Sequence, residues 1–348
     1  MEVSRFAMAT NTGFSRAVTI SSPENRIELI DRPIPQPRRG EVVIRMLAAS
    51  LNFRDVEIVR GTFQTAYRRP LIPLSDGVGE VVAVGEDITR VKLGDRVAPT
   101  FWRDWIAGDS AAAIVGTTLG GPLDGVLAEH VSLEEQRVVQ VPAYLTDVEA
   151  ATLTCAGVTA WHSLITVGAL APGETVLIQG TGGVAMFALQ FAALLGATPI
   201  VISGSDVKLE RARALGAAAT VNYVQTPEWD RKVRDLTDDR GVDHILELGG
   251  PSTFSRSLNA ARVGGQIYII GYLGGKAGEI NPLEIFRRRL RAHGVSVGSR
   301  NSFEAMNRAI ASARLRPIID SVFPWTEAPT AIERLESGTH IGKVALKF

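Results

Sequence analysis

The segment Thr175-Val-Leu-Ile-Gln-Gly-Thr-Gly-Gly-Val-Ala185 constrains this chain more than any other. A short apolar run ends in Gly180-x-Gly182-x-x-Ala185, and an apolar, Ala-rich stretch follows at once. Gly180 permits a tight turn. Gly182 removes the Cβ that would block a pyrophosphate, and Ala185 is small enough for a helix to pack on the strand. The helix N-terminus then presents free N–H groups and a positive dipole end to phosphate. Gly180, Gly182, Gly183 and Val184 are therefore the expected cradle of a dinucleotide.

The surroundings support this reading. After Pro172-Gly173 the pattern alternates strictly. Strands are expected at 175–179, 200–203, 220–223, 244–248, 266–270 and 295–298, with helices at 185–195, 208–215, 228–236 and 283–291. Such alternation predicts an α/β fold with a doubly wound parallel sheet. Upstream, residues 17 to about 140 are β-rich, with short apolar runs between Gly, Pro and Asp turns. Residues 148–166 are Ala-rich and helical in pattern. The tail carries a helix at 302–313 and a strand at 343–347, too little for a core of its own, so it is expected to return to the β-rich part. A domain of about 150 residues is usual, so 348 residues suggest two. The expected division is 1–141 with 299–348, and 142–298.

Composition removes several functions. Lys plus Arg and Asp plus Glu both number 37, so no net field is available to hold nucleic acid. A single cysteine, Cys155, excludes a disulfide framework or a cysteine-rich metal lobe. Residues 1–16 have no apolar run before a cleavage site and read as a loose tail, which points to a cytoplasmic protein. The apolar stretch 184–202 is broken by Gly196 and Pro199, so a buried helix followed by a strand is expected rather than a membrane span.

The second strand of the alternating region ends in Ser203-Gly204-Ser205, followed by Asp206, Lys208 and Arg211. An NAD site places a carboxylate on the ribose diol at the strand end. Small hydroxyls and a nearby cation suit a 2′-phosphate instead. NADPH is the expected cofactor, with Ser203, Gly204, Ser205 and Lys208 around its phosphate.

Several separate segments resemble the medium-chain dehydrogenase/reductase superfamily: Gly94-Asp-Arg-Val97, Asp124-Gly-Val-Leu-Ala-Glu-His130, Cys155-Ala-Gly-Val-Thr-Ala-Trp161, the Gly180 loop and Lys208-Leu-Glu-Arg-Ala-Arg-Ala-Leu-Gly216. The resemblance implies a GroES-like catalytic domain joined to a Rossmann domain, an active site in the cleft between them, and pairing into a homodimer through the last sheet strand, here 295–298. It also implies that Thr159, Tyr223, Gly249, Gly271 and Arg300 lie along the cofactor. Zinc alcohol dehydrogenases of this family hold a catalytic metal with Cys, His or Glu, and Cys. Here Asn52 and Ser75 fall at the first two positions, and only Cys155 at the third is a ligand type. Asp76 is the one nearby carboxylate. That donor set predicts no metal.

Without a metal to polarise a carbonyl, the branch that this chain resembles reduces quinones, enones and similar activated double bonds. Hydride transfer to carbon leaves charge on a conjugated oxygen, which needs donors. Asn52 and Arg54 are the candidate donors, and Tyr67 is the candidate proton source. The aromatic loop Phe101-Trp-Arg-Asp-Trp105 is the expected wall of a flat, apolar substrate pocket. Two other readings stay open: an NADP-dependent alcohol or aldehyde dehydrogenase, and an NADPH-binding protein of crystallin type without turnover.

Overall fold

A computed structural model describes residues 13–21 and 26–348. The first twelve residues of the expected tail lie outside the described residues. The next four are not loose, because a strand already begins at Phe14 and spans Phe14–Ile20, paired antiparallel with Ile27–Pro33.

Two larger sheets carry the fold. The first is six-stranded and parallel, in the order Ala219–Asn222, Thr198–Ser203, Thr175–Gln179, Val242–Glu247, Ala261–Ile269, Arg291–Gly294. The order reverses beside Thr175–Gln179, so the Gly180 loop opens into the crevice where open α/β sheets bind ligands. The three central strands, Thr198–Ser203, Thr175–Gln179 and Val242–Glu247, are short and buried on both faces, as a sheet covered by helices requires, while the edge strand Arg291–Gly294 is largely exposed. The helix Gly183–Leu194 is apolar almost all round. It fills the space between this sheet and the helical segment 147–167 through Phe187, Phe191 and Trp161. The expected helix-then-strand reading of 184–202 holds, and among the described residues no helix is long and apolar enough to cross a membrane.

The second sheet is seven-stranded. Ile319–Pro324 and Lys343–Lys347, from the end of the chain, join Glu41–Ser50, Asp76–Val84, Arg96–Pro99 and Val138–Gln140, with His130–Glu134 on the other side of Glu41–Ser50. The tail does return to the β-rich domain. Its helix Arg300–Ala313, however, packs on the segment joining the two domains, with Met306 beneath Gly157.

Two expectations are corrected. The last strand of the parallel sheet is Arg291–Gly294, not 295–298. Val295 and Val297 turn into the core, and Val297 has a φ of +62°, which no strand residue adopts. The stretch 148–166 is helical but uneven. Wide turns at Leu153–Gly157 and His162–Val167 flank the short helix Val158–Trp161. The hydroxyls of Thr159 and Ser163 return hydrogen bonds to the carbonyls of Cys155 and Thr159, at 2.7 and 2.8 Å.

Candidate active site

The cradle is made almost wholly of backbone. Gly180 has a φ of +76° and its N–H donates to Ile202 O at 2.7 Å. A side chain at that φ would be strained. Gly182 caps the helix Gly183–Leu194 with no side-chain bond to its amides. The first-turn N–H groups, including those of Gly183 and Val184, thus face the crevice without a protein acceptor on that side. The chain just before the final strand closes over this loop: Gly342 N–H donates to Thr181 O at 2.9 Å. The His340 ring lies beside Gly182, its Nδ1 is buried without a partner, and burial pushes its pKa down to about 4.

At the next strand end, Ser203 is buried and Ser205 caps the helix Asp206–Ala214 without using its hydroxyl on the helix amides. The Tyr223 ring lies over Gly204, 3.1 Å from the point a Cβ would take. The Asp206 carboxylate is committed to Asn222 Nδ2 at 2.7 Å and Gln225 Nε2 at 2.6 Å. Lys208 stands close by, but its ammonium donates to Gly338 O at 2.5 Å, across the domain boundary. Gly249 N–H donates to Gln179 Oε1 at 2.9 Å, and Gly271 N–H to Glu247 O at 3.2 Å. These residues ring the carboxyl ends of the strands. A dinucleotide fits this cradle: free helix amides, glycines where a Cβ would intrude, and an uncommitted serine beside a cation. Arg300 sits elsewhere, donating to Gln136 O and Oε1 at 3.1 and 2.5 Å, on the outer side of the domain junction.

The metal position of the family is filled by a different chemistry. Asp76 and Ser75 are fully buried, and Ser75 Oγ donates to Asp76 Oδ1 at 2.8 Å. Lys343, only 2% exposed, enters from the final strand. Its ammonium donates to Leu51 O at 2.7 Å, Asn52 Oδ1 at 2.6 Å and Asp76 Oδ2 at 3.3 Å. Three donors meet three acceptors. Burial, then the Asp76 carboxylate, pushes the Cys155 thiol up to about 12. A thiol held protonated, an amide oxygen already bonded to an ammonium and a hydroxyl committed to a carboxylate do not suit zinc. Among the described residues, no three His, Cys, Asp or Glu side chains converge to hold a metal.

Asn52 begins the helix Phe53–Arg60, and its backbone N–H donates to Asp55 Oδ2 at 2.7 Å. Its side-chain Nδ2 is buried with no partner. Arg54 is tied down: it donates to Leu119 O at 2.7 Å and Gly121 O at 2.6 Å, and stacks on Phe101 at 4.8 Å. Tyr67 gives its hydroxyl proton to Ile58 O at 2.8 Å and accepts from Arg69. Both terminal nitrogens of Arg54 and the hydroxyl proton of Tyr67 are thus engaged by their own domain. In the aromatic loop, Trp102 Nε1 donates to Ser296 O at 2.8 Å, while Trp105 stacks edge-on against His162. The loop therefore stitches the two domains together beside the cleft.

Sequence reasoning missed Lys343, Glu247 and a latch across the cleft mouth. In the latch, Glu57 accepts from Tyr272 Oη at 2.6 Å and pairs with Lys276 at 2.5 Å. The available signal for Lys343 was its place: a charge directly after Gly342 that opens the apolar run 344–346. Glu247 likewise ends a wholly buried strand.

Known proteins bear on these observations. Residues 38–143 match the alcohol dehydrogenase GroES-like domain and residues 183–312 match the zinc-binding dehydrogenase domain. A zinc-type alcohol dehydrogenase-like protein of Schizosaccharomyces pombe is 38% identical over 89% of this chain and 91% of its own. A candidate alcohol dehydrogenase of Sinorhizobium meliloti 1021 superposes with a TM-score of 0.91 at 38% identity, over 96% of this chain and 98% of that one. An NAD-dependent alcohol dehydrogenase superposes at 0.86 with 32% identity, over 96% and 99%. The shared domains, their order and this similarity along the chain establish that it belongs to the medium-chain dehydrogenase/reductase superfamily of alcohol dehydrogenase-like oxidoreductases.

Proposed function

We propose that this oxidoreductase works without zinc, uses NADPH and delivers hydride to an enone, a quinone or a similarly activated double bond. The observation that carries the reading is the buried Lys343–Asp76 pair with Asn52 at the metal position. It leaves an amide donor, and no metal ligand set, where the substrate oxygen would be polarised. NADPH is preferred because the carboxylate of Asp206 is engaged with Asn222 and Gln225 while Ser205 and Lys208 stand at the strand end. Lys208 must exchange the Gly338 carbonyl for a 2′-phosphate, a charge-assisted bond of greater strength.

When bound, NADPH supplies a hydride from C4 of its nicotinamide. Gly180, Gly182 and Gly183 would hold its pyrophosphate and Tyr223 would cover its adenosine end, while Thr159 stands on the buried segment beneath the cleft. Reduction of an enone at its β-carbon would move the π pair to the carbonyl oxygen. Asn52 Nδ2 donates to that oxygen, and solvent returns a proton to the α-carbon. Arg54 contributes by fixing residues 118–121 rather than by touching substrate. Tyr67 contributes no proton while its own is held by Ile58 O.

Two relatives are named a zinc-type alcohol dehydrogenase-like protein and an NAD-dependent alcohol dehydrogenase. Alcohol chemistry of that kind favours a second reading, an alcohol or aldehyde dehydrogenase, with NADP as its cofactor because Ser205 and Lys208 stand at the strand end. One assay panel separates the two. Oxidation of NADPH with quinones and enones supports the first reading. Reduction of NADP⁺ with alcohols, together with stoichiometric zinc that activity requires, supports the second. Tight NADPH binding with no turnover on either arm would leave a binding protein. Lys208→Ala is expected to raise KM for NADPH and leave NADH use nearly unchanged; equal loss with both cofactors removes the 2′-phosphate assignment. A homodimer is proposed through the free edge of Arg291–Gly294, and a monomer in sedimentation analysis would end that proposal.

A further inference from the structure

We propose that Lys343 is a positioning residue for the reduction: its ammonium orients the Asn52 amide so that Nδ2 faces the oxygen on which charge develops. The inference rests on the reading of Asn52 as the oxyanion donor and assigns what holds that donor in place. An ammonium carries donors only, so the amide must turn its oxygen toward Lys343, and the observed 2.6 Å contact is to Oδ1. The other end of the amide is then fixed as a donor. That end is buried and has no protein partner. An unmade bond of this kind is costly, and it persists here because the other end of the same amide is bonded to a buried charge. Asn52 has little freedom to swing away. Its backbone N–H is held by Asp55 at 2.7 Å, and it sits at the start of the helix Phe53–Arg60.

Lys343 is itself immobile. Its ammonium is saturated by Leu51 O, Asn52 Oδ1 and Asp76 Oδ2, and its stem runs against the phosphate loop, with Cδ 2.7 Å from the point where Gly183 would carry a Cβ. With all three donors in use, Lys343 has none left for substrate and acts through Asn52. Its charge also draws electron density toward Oδ1, which makes Nδ2 a stronger donor.

The test is a mutant cycle. Lys343→Met alone would strand the buried Asp76 carboxylate, so the charge is removed as the neutral pair Lys343→Met/Asp76→Asn. This variant, Asn52→Ala and their combination are compared with the wild type for kcat with an enone, for NADPH Kd by nicotinamide fluorescence, and for Tm. Loss of one oxyanion donor lowers kcat by about 100-fold. The expected result is a loss of that order in each variant and no further loss in the combination, with NADPH Kd changed less than about threefold. Multiplying losses in the combination would overturn the assignment, because independent sites add in free energy. So would an NADPH Kd that rises in step with the loss of kcat, which would make Lys343 a cofactor ligand. If the paired variant does not fold, Lys343→Arg, which keeps the charge but not the point contact, is read by the same measurements. A wild-type protein that turns over no enone or quinone sinks the underlying reading, and this assignment with it.

Discussion

The dinucleotide cradle and the Lys343 cluster lie one side chain apart, yet they are built in opposite ways. The cradle is backbone. Gly180 holds a φ that other residues resist and the helix amides face outward, so the cradle offers a phosphate what any such turn offers. The Lys343 cluster is side chain. Ser50, Asn52, Asp76 and Lys343 come from three strands and a helix cap and bond to one another inside the protein, leaving only the Asn52 Nδ2 end of the cluster without a partner. A backbone site tolerates drift in the surrounding side chains. A side-chain cluster of buried charge does not, because losing one member leaves its partner unpaired in low dielectric.

The sharpest way to break the cradle is Gly180→Val. A β-branched residue at a φ of +76° costs about 1–3 kcal/mol of strain and displaces the amides, so NADPH affinity should fall by about 100-fold or more. Titration of cofactor fluorescence reads this, and near wild-type affinity would refute the backbone account. Next comes Gly183→Ala, which connects the two regions. The new Cβ would sit 2.7 Å from Lys343 Cδ, so the stem must move. A shift of this kind is expected to lower kcat by about tenfold or more, with a smaller change in NADPH Kd. An unchanged kcat would mean that the cluster is not coupled to the cradle.

Asp55 tests how much burial costs beside the cluster. Burial, opposed by Arg54, raises its carboxyl from 3.8 to about 6. The folded state therefore binds the proton more tightly than the unfolded chain. Stability associated with this group is greatest below about pH 4 and declines as pH rises toward about 6. Asp55→Asn should then gain stability relative to wild type at pH 7 compared with pH 4, by on the order of 2–3 kcal/mol. Denaturant midpoints at the two pH values decide it, and a difference independent of pH would contradict the assignment. Tyr272→Phe, which removes one bond to Glu57 and leaves Lys276, should cost about 1–2 kcal/mol and loosen the cleft. The smallest effect concerns Cys155. With its thiol pushed up to about 12, alkylation of the folded protein at pH 8 should be negligible until denaturant is added. Rapid labelling of the native protein would show the thiol to be far more acidic than its surroundings imply.

Much of the fold was legible because it is local. The strand Thr175–Gln179, the glycine turn and the helix after it share one contiguous segment whose spacing states its geometry, and the closing strand Lys343–Lys347 was read to the residue. Where local signals competed with burial, the reading failed. The β-branched Val295 and Val297 looked more like a strand than Arg291–Gly294, but the sheet edge accepts polar residues and the core took the valines. Candidate groups suffered similarly. Arg54 and Tyr67 are reactive types at the right places in the chain, and only the tertiary structure reveals that carbonyls of their own domain already hold them.

By itself, the sequence determined the strand, glycine turn and helix from Thr175 to Leu194 and the alternation that makes a parallel sheet. The resemblance to zinc alcohol dehydrogenases is what sets Asn52, Ser75 and Cys155 at the expected metal position. Which end of the Asn52 amide is left unpaired was decided elsewhere, by a lysine 291 residues away whose ammonium can bond only to an oxygen. Contact at that separation exists only once the final strand has closed beside Glu41–Ser50, and no local pattern encodes it.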